Sequence, residues 1–69
     1  MNNIDSYDKE IATIIKTEIY DKQIQNELFK SVNNSKGHLA RIIADELTDK
    51  FPHNRSYKRL YDLILNKFF

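Results

Sequence analysis

The sequence contains no cysteine and no tryptophan, one glycine (Gly37) and one proline (Pro52). Without thiols the chain cannot be stapled by disulfides, and with His38 and His53 as its only imidazoles it lacks the ligand set of a structural zinc site. A lone glycine excludes a glycine-rich phosphate cradle. Apolar residues never run longer than three, as in Leu63-Ile64-Leu65, whereas a bilayer-spanning helix needs about 20, so no transmembrane helix is expected. The opening residues, Met1-Asn2-Asn3-Ile4-Asp5, carry neither the basic region nor the apolar core of a secretory signal. A cytoplasmic location is the expectation.

What is present fits one small folded domain over residues 1–69, with 41% hydrophobic and 30% charged residues. Chains of this size build a core that is only marginally self-sufficient, and in the absence of disulfides or metal they lean on self-association. The net charge is +1, unevenly spread. Residues 1–34 carry four Lys against six Asp and Glu; residues 35–69 carry seven Lys and Arg against four Asp and Glu. The two halves therefore differ in sign and attract one another within a subunit or between subunits. The preference for Lys, Ile and Asn matches AT-rich coding, as in bacterial mobile elements or phages.

Periodicity predicts an all-α protein of three helices, over about 6–32, 36–51 and 55–68, forming a small bundle. From Ser6 to Val32 there is neither Gly nor Pro, and Ile11, Ile14, Ile15, Ile24, Leu28 and Val32 recur mostly at three- and four-residue steps. Asp5 or Ser6 is suited to cap this segment. The five-residue step from Ile19 to Ile24 marks a possible break near residues 20–23. A continuous helix there would be about 40 Å long at 1.5 Å per residue, too long for the later pair to cover, which predicts a homodimer; a break predicts a four-helix monomer. Asn33-Asn34-Ser35-Lys36-Gly37 reads as a turn, with Ser35 placed to cap the next helix. That helix sets Leu39, Ile43, Leu47 and Phe51 in i, i+4 register, broadened by Ala40, Ile42 and Ala44, and ends before Pro52. The last, capped by Asn54 or Ser56, carries Tyr57, Leu60, Tyr61, Ile64 and Phe68 on one face.

No set of residues promises catalysis. Asp45, Glu46 and Asp49 with His38 and His53 are the only polar cluster of interest, and acidic runs on helices are ordinarily solvated; neither enzyme activity, cofactor nor metal is expected. The basic cluster Arg55, Lys58 and Arg59 is more suggestive, because it loads cations onto the start of a helix, where the peptide dipoles disfavour them. An acidic partner or nucleic acid would answer that charge. Residues 39–61 also form two helices around a turn, with Ala44 in the place of the small packing residue of a helix-turn-helix. Thr48 where glycine is wanted, the long Phe51-Pro52-His53-Asn54 connection and the acids of the preceding helix all depart from that pattern. The bland alternative pairs Arg55 and Lys58 with Asp49 or Glu46. Finally, Phe68 and Phe69 cannot both face one helical core, and one of them is expected on an interface with a protein partner.

The spacing Leu39, Ile43, Leu47, then Tyr57, Leu60, Leu63 and Leu65, preceded by Glu27-Leu28 and a polar turn, resembles the small bacterial regulators of the YmgB/AriR kind over roughly the last forty residues. The resemblance implies a short, all-helical, dimer-forming adaptor that acts through other regulators, in a family linked to biofilm and acid-stress control. The first segment here is longer than that family's, and no functional residue transfers. The sequence thus predicts a non-enzymatic, homodimeric interaction protein, an adaptor or inhibitor of a larger partner, with helix-turn-helix DNA binding as the alternative.

Overall fold

The computed structural model describes residues 6–69, all-helical with no strand among them: α1 (Ser6–Glu18), α2 (Lys22–Asn33), α3 (Gly37–Lys50) and α4 (Arg55–Phe68). Four helices replace the three expected, because the segment over 6–32 takes the possible break marked near residues 20–23 and is divided at Ile19-Tyr20-Asp21. Polar side chains make the division. Asp21 adopts an extended backbone and its carboxylate accepts from the N–H groups of Gln23 (2.9 Å) and Ile24 (3.3 Å), capping α2. At the other side of the break, the last carbonyls of α1 lose their helical donors. The Gln25 amide folds back and donates to the Ile15 carbonyl at 3.1 Å, with those of Lys16 and Ile19 at 3.4 and 3.5 Å. The Tyr57 hydroxyl, from α4, donates to the Glu18 carbonyl at 2.7 Å. Asp5, the other expected cap of α1, lies outside the described residues.

The break makes four helices of 12 to 14 residues, each about 20 Å long, and the overlong helix that argued for a second copy does not exist. Successive helices pack on one another and α4 returns to α1, closing a ring of four. Tyr57 near the start of α4 meets the end of α1, and Lys67 near its end pairs with Asp8 near the start of α1, so these two run antiparallel.

The core consists of Ile11, Ile14, Ile15 and Ile19 from α1, Leu28 from α2, Ala40, Ala44 and Leu47 from α3, and Tyr57, Leu60, Leu63 and Ile64 from α4. α3 differs from expectation. Its inward face is built from Ala40, Ala44 and Leu47, the two alanines fully buried, whereas Leu39, Ile42 and Phe51 remain about half exposed, at 49%, 51% and 50%. The reason is the close approach of α4. A Cβ added to Gly37 would stand 2.6 Å from the Phe68 Cβ, so α3 meets α4 closely at Gly37, and the fully buried Ala40 and Ala44 lie along the same helical face. The bulky stripe is turned aside by the lack of room.

The turns correct one further expectation. Ser35 does not cap α3, whose N-cap Lys36 makes no side-chain cap bond. It instead terminates α2, in the left-handed region at φ 57°, where its N–H donates to the Val32 carbonyl (3.2 Å) while that of Lys36 reaches Ser31 (2.8 Å). That is a Schellman motif with serine in glycine's usual place. Before α4, the Asn54 N–H donates to the Phe51 carbonyl (3.0 Å) across Pro52 and His53, and the Asn54 side chain accepts from the Tyr57 N–H (3.1 Å). Of the two candidate caps, Asn54 is the one used.

Two glycine-related substitutions should therefore move stability in opposite directions in urea denaturation. Ser35→Gly relieves left-handed strain and is expected to leave stability unchanged or raise it by up to about 1 kcal/mol. Gly37→Ala, although alanine is the better helix former, is expected to cost about 1–3 kcal/mol by forcing α3 and α4 apart.

Candidate functional site

Among the described residues, an apolar surface left open follows the seam between α2 and α3. α2 supplies only Leu28 to the apolar buried core, with Ile24, Phe29 and Val32 partly covered at its margin. Leu39 and Ile43 occupy a flank of α3 roughly a quarter to a third of a turn from the Ala40–Ala44 face, and Ile42 lies about half a turn from it. Between the helices lie two joined depressions that share Glu27 and Ile43. One, of about 260 Å³, is flanked by Tyr20, Ile24 and Phe51 and has Leu47 and Tyr57 among its lining. The other, of about 430 Å³, lies beside Leu39 and Ile42. Tyr20, in the α1–α2 connection, is 85% exposed.

Charge is distributed unevenly along this groove. At the Leu39 end its rim carries Lys30 and Lys36; at the Tyr20 end it carries Asp21 and Glu46 with Lys50; Glu27 stands between. The sequence reading missed this surface. Its signal was available in α3, where Leu39, Ala40, Ile42, Ile43, Ala44 and Leu47 cover too wide an arc for one buried stripe.

The expected partner-binding pair divides. Phe68 packs against the core and against Gly37, with the Lys67 ammonium 5.3 Å from its ring centroid. Phe69 is 63% exposed and stands edge-on to His38, ring centroids 5.3 Å apart. This second aromatic spot sits where the start of α3 meets the end of α4.

The basic cluster also divides. Arg59 reaches α1, its Nε and Nη2 donating to the two carboxylate oxygens of Glu10 at 2.8 and 3.0 Å. That fork holds the Glu10 carboxyl below its usual range, chiefly through the hydrogen bond and then through the guanidinium charge, with desolvation opposing. Arg55 and Lys58 are exposed and form no ion pair among the described residues, so the expected pairing with Asp49 or Glu46 is absent. Likewise, among the described residues no three of His, Asp and Glu gather closely enough to hold a metal ion, Asp45, Asp49 and His53 included.

Tyr57 joins the groove to the scaffold. Its ring is buried, packs edge-on to Phe51 (5.6 Å) and lines the depression at the Tyr20 end. Burial first, then the neighbouring Tyr20 and Glu18 charges, push the phenol above its ordinary value. Because the folded state holds the neutral phenol more tightly, this contribution is complete below pH 10, the ordinary phenol value, and is lost as pH rises through the higher folded value. Tyr57→Phe should lower stability at neutral pH by about 1 kcal/mol through loss of the bond to Glu18 and flatten the alkaline fall in melting temperature followed by circular dichroism. Comparison with family models, with curated proteins and with solved structures finds no match to this chain.

Proposed function

We propose that the protein is a small non-enzymatic regulator that acts by protein–protein interaction, as an adaptor or inhibitor of a larger partner, and that it works as a homodimer through its exposed apolar face, since the break in the first segment withdraws the argument from an overlong helix. The observation that carries this reading is the orientation of α3: Ala40 and Ala44 fill the interior while Leu39, Ile42 and Phe51 stand half exposed beside a groove whose other wall is α2. Contiguous apolar surface of this kind, rimmed by charge, is characteristic of docking sites. A groove between two helices suits an amphipathic helix laid along it. Phe69, exposed at the opposite end of α3 from Phe51, offers a separate aromatic anchor, whereas Phe68 is committed to the bundle. The adaptor role also agrees with what the resemblance to YmgB/AriR-type regulators implies.

Surface replacements on this face test the reading because Leu39 and Ile42 are about half exposed and lie outside the buried core. Leu39→Ser with Ile42→Ser should leave the unfolding midpoint nearly unchanged while weakening association at least roughly tenfold, or about 1.4 kcal/mol, measured by sedimentation and by calorimetric titration. Undiminished association would overturn it.

The second reading, DNA binding by α4, is favoured by the exposure of Arg55 and Lys58 without ion-pair partners among the described residues. It has two cations at its disposal, since Arg59 is held by Glu10. If it is right, Arg55→Gln with Lys58→Gln abolishes a gel shift on duplex DNA that weakens steeply with salt; no shift at low salt removes it.

A further inference from the structure

We infer that two copies of this chain can exchange α1, each straightening its Ile19-Tyr20-Asp21 hinge so that α1 and α2 run on as one helix and α1 seats in the other copy. This pairing does not draw on the α2–α3 face, and its failure leaves association through that face standing.

The hinge is built from residues that a helix accepts. Neither glycine nor proline occurs between Ser6 and Asn33, and none of the three dividing residues has a positive φ. What interrupts the helix is a set of side-chain bonds standing in for backbone ones. The Asp21 carboxylate takes the N–H groups of Gln23 and Ile24, and the Gln25 amide serves the carbonyls of Ile15, Lys16 and Ile19. In a continuous helix those two N–H groups bond instead to the carbonyls of Ile19 and Tyr20, and the Tyr20 N–H takes that of Lys16. The backbone is satisfied either way, and the Asp21 cap is the latch that selects the break.

The contacts of α1 are of the kind that exchange preserves. α1 packs chiefly on α4 and less on α2, the helix to which the hinge joins it. Its ion pairs also run to α4, Glu10 with Arg59 and Asp8 with Lys67, and the Tyr57 hydroxyl donates to its Glu18 carbonyl. The α1 of a second copy, seated on the same α4, makes each of these bonds unchanged. A straight helix over residues 6–33 is about 40 Å long and carries α1 clear of its own α4, and the five-residue step from Ile19 to Ile24 sets those side chains about 140° apart around it. A single subunit in that form exposes Ile11, Ile14, Ile15 and Ile19, all buried in the closed one. Two subunits bury them again by filling one another's vacancy under two-fold symmetry. On the docking reading above, the exchanged pair presents the α2–α3 groove twice in one assembly, which strengthens binding to a repeated partner.

The ion pair between Asp8 and Lys67 reports directly on exchange. Natural and heavy-isotope-labelled chains are unfolded together, refolded at about 0.5 mM and separated by size, and each fraction is treated with a carbodiimide that condenses the Asp8 carboxylate with the Lys67 amine. In the exchanged dimer about half of these cross-linked peptides join a light chain to a heavy one, by random pairing of the two labels; in the monomer none do. Lys22→Pro locks the break, because Asp21 already holds the extended backbone (φ −79°, ψ 114°) that suits the residue before proline, the first helical position accepts proline, and in a continuous helix the ring meets the Glu18 carbonyl. It should abolish the exchanged dimer while keeping the helical circular dichroism spectrum. Asp21→Ala removes the latch and should raise association at least roughly tenfold, since each dimer contains two hinges. A dimer whose cross-links all join like isotopes overturns the inference and leaves pairing through the apolar face standing. A dimer share unmoved by Asp21→Ala, or a folded Lys22→Pro protein that dimerises as the wild type does, overturns it too. Refolding that yields no dimer at all removes both the inference and the homodimeric reading.

Discussion

The close approach of α3 to α4 governs the rest of the molecule. Where Gly37 meets Phe68 there is no space for even one methyl group, and Ala40 and Ala44 continue the same narrow contact at full burial. Helices brought this near exclude long side chains from the line between them, and the dispersion gained across a tight seam replaces what larger residues would have contributed. The cost appears on the outside. Leu39, Ile42 and Phe51 must go elsewhere, and α2, with little of its own surface committed to the centre, leaves them a groove to border.

The second constraint is the ending of α1. Dividing the first half of the chain into two short helices leaves carbonyl groups without donors, and an unpaired carbonyl away from water is expensive. Gln25 and Tyr57 supply those donors from two other helices. The break is thereby tied to the packing of α2 and α4 against α1, and it places Tyr20 on a corner, far into solvent, at the mouth of the groove. Scaffold and surface are products of the same few bonds.

Much of the fold was legible from residue pattern. The absence of strands, the stop before Pro52, the Asn54 cap and the single apolar face of α4 all follow from local rules, since each depends on neighbours within a turn or two. The failures share a different origin. The five-residue step from Ile19 to Ile24 marks the division at Ile19-Tyr20-Asp21 as possible, but the phenol that serves the freed carbonyl comes from 39 residues away and no local pattern marks it. The inward face of α3 needed knowledge of how near α4 would come, because Leu39, Ile43, Leu47 and Phe51 make as regular a stripe as Ala40, Ala44 and Leu47. Arg59 looked equivalent to Arg55 and Lys58 until α1 placed Glu10 beside it. Ser35 was read for what its hydroxyl does at a helix start, whereas its backbone serves a helix end. Chemistry set by spacing along the chain could be read; chemistry set by proximity across it could not.

The placement of Tyr20 and Tyr57 beside one another at the groove has an optical consequence. With no tryptophan in the sequence to dominate its emission, the protein's near-ultraviolet fluorescence comes from four tyrosines, and two of them border the depression at the aromatic end. One ring is solvated and the other enclosed. Anything that settles there desolvates the first and disturbs the second, so the unlabelled chain carries its own spectroscopic gauge of occupancy.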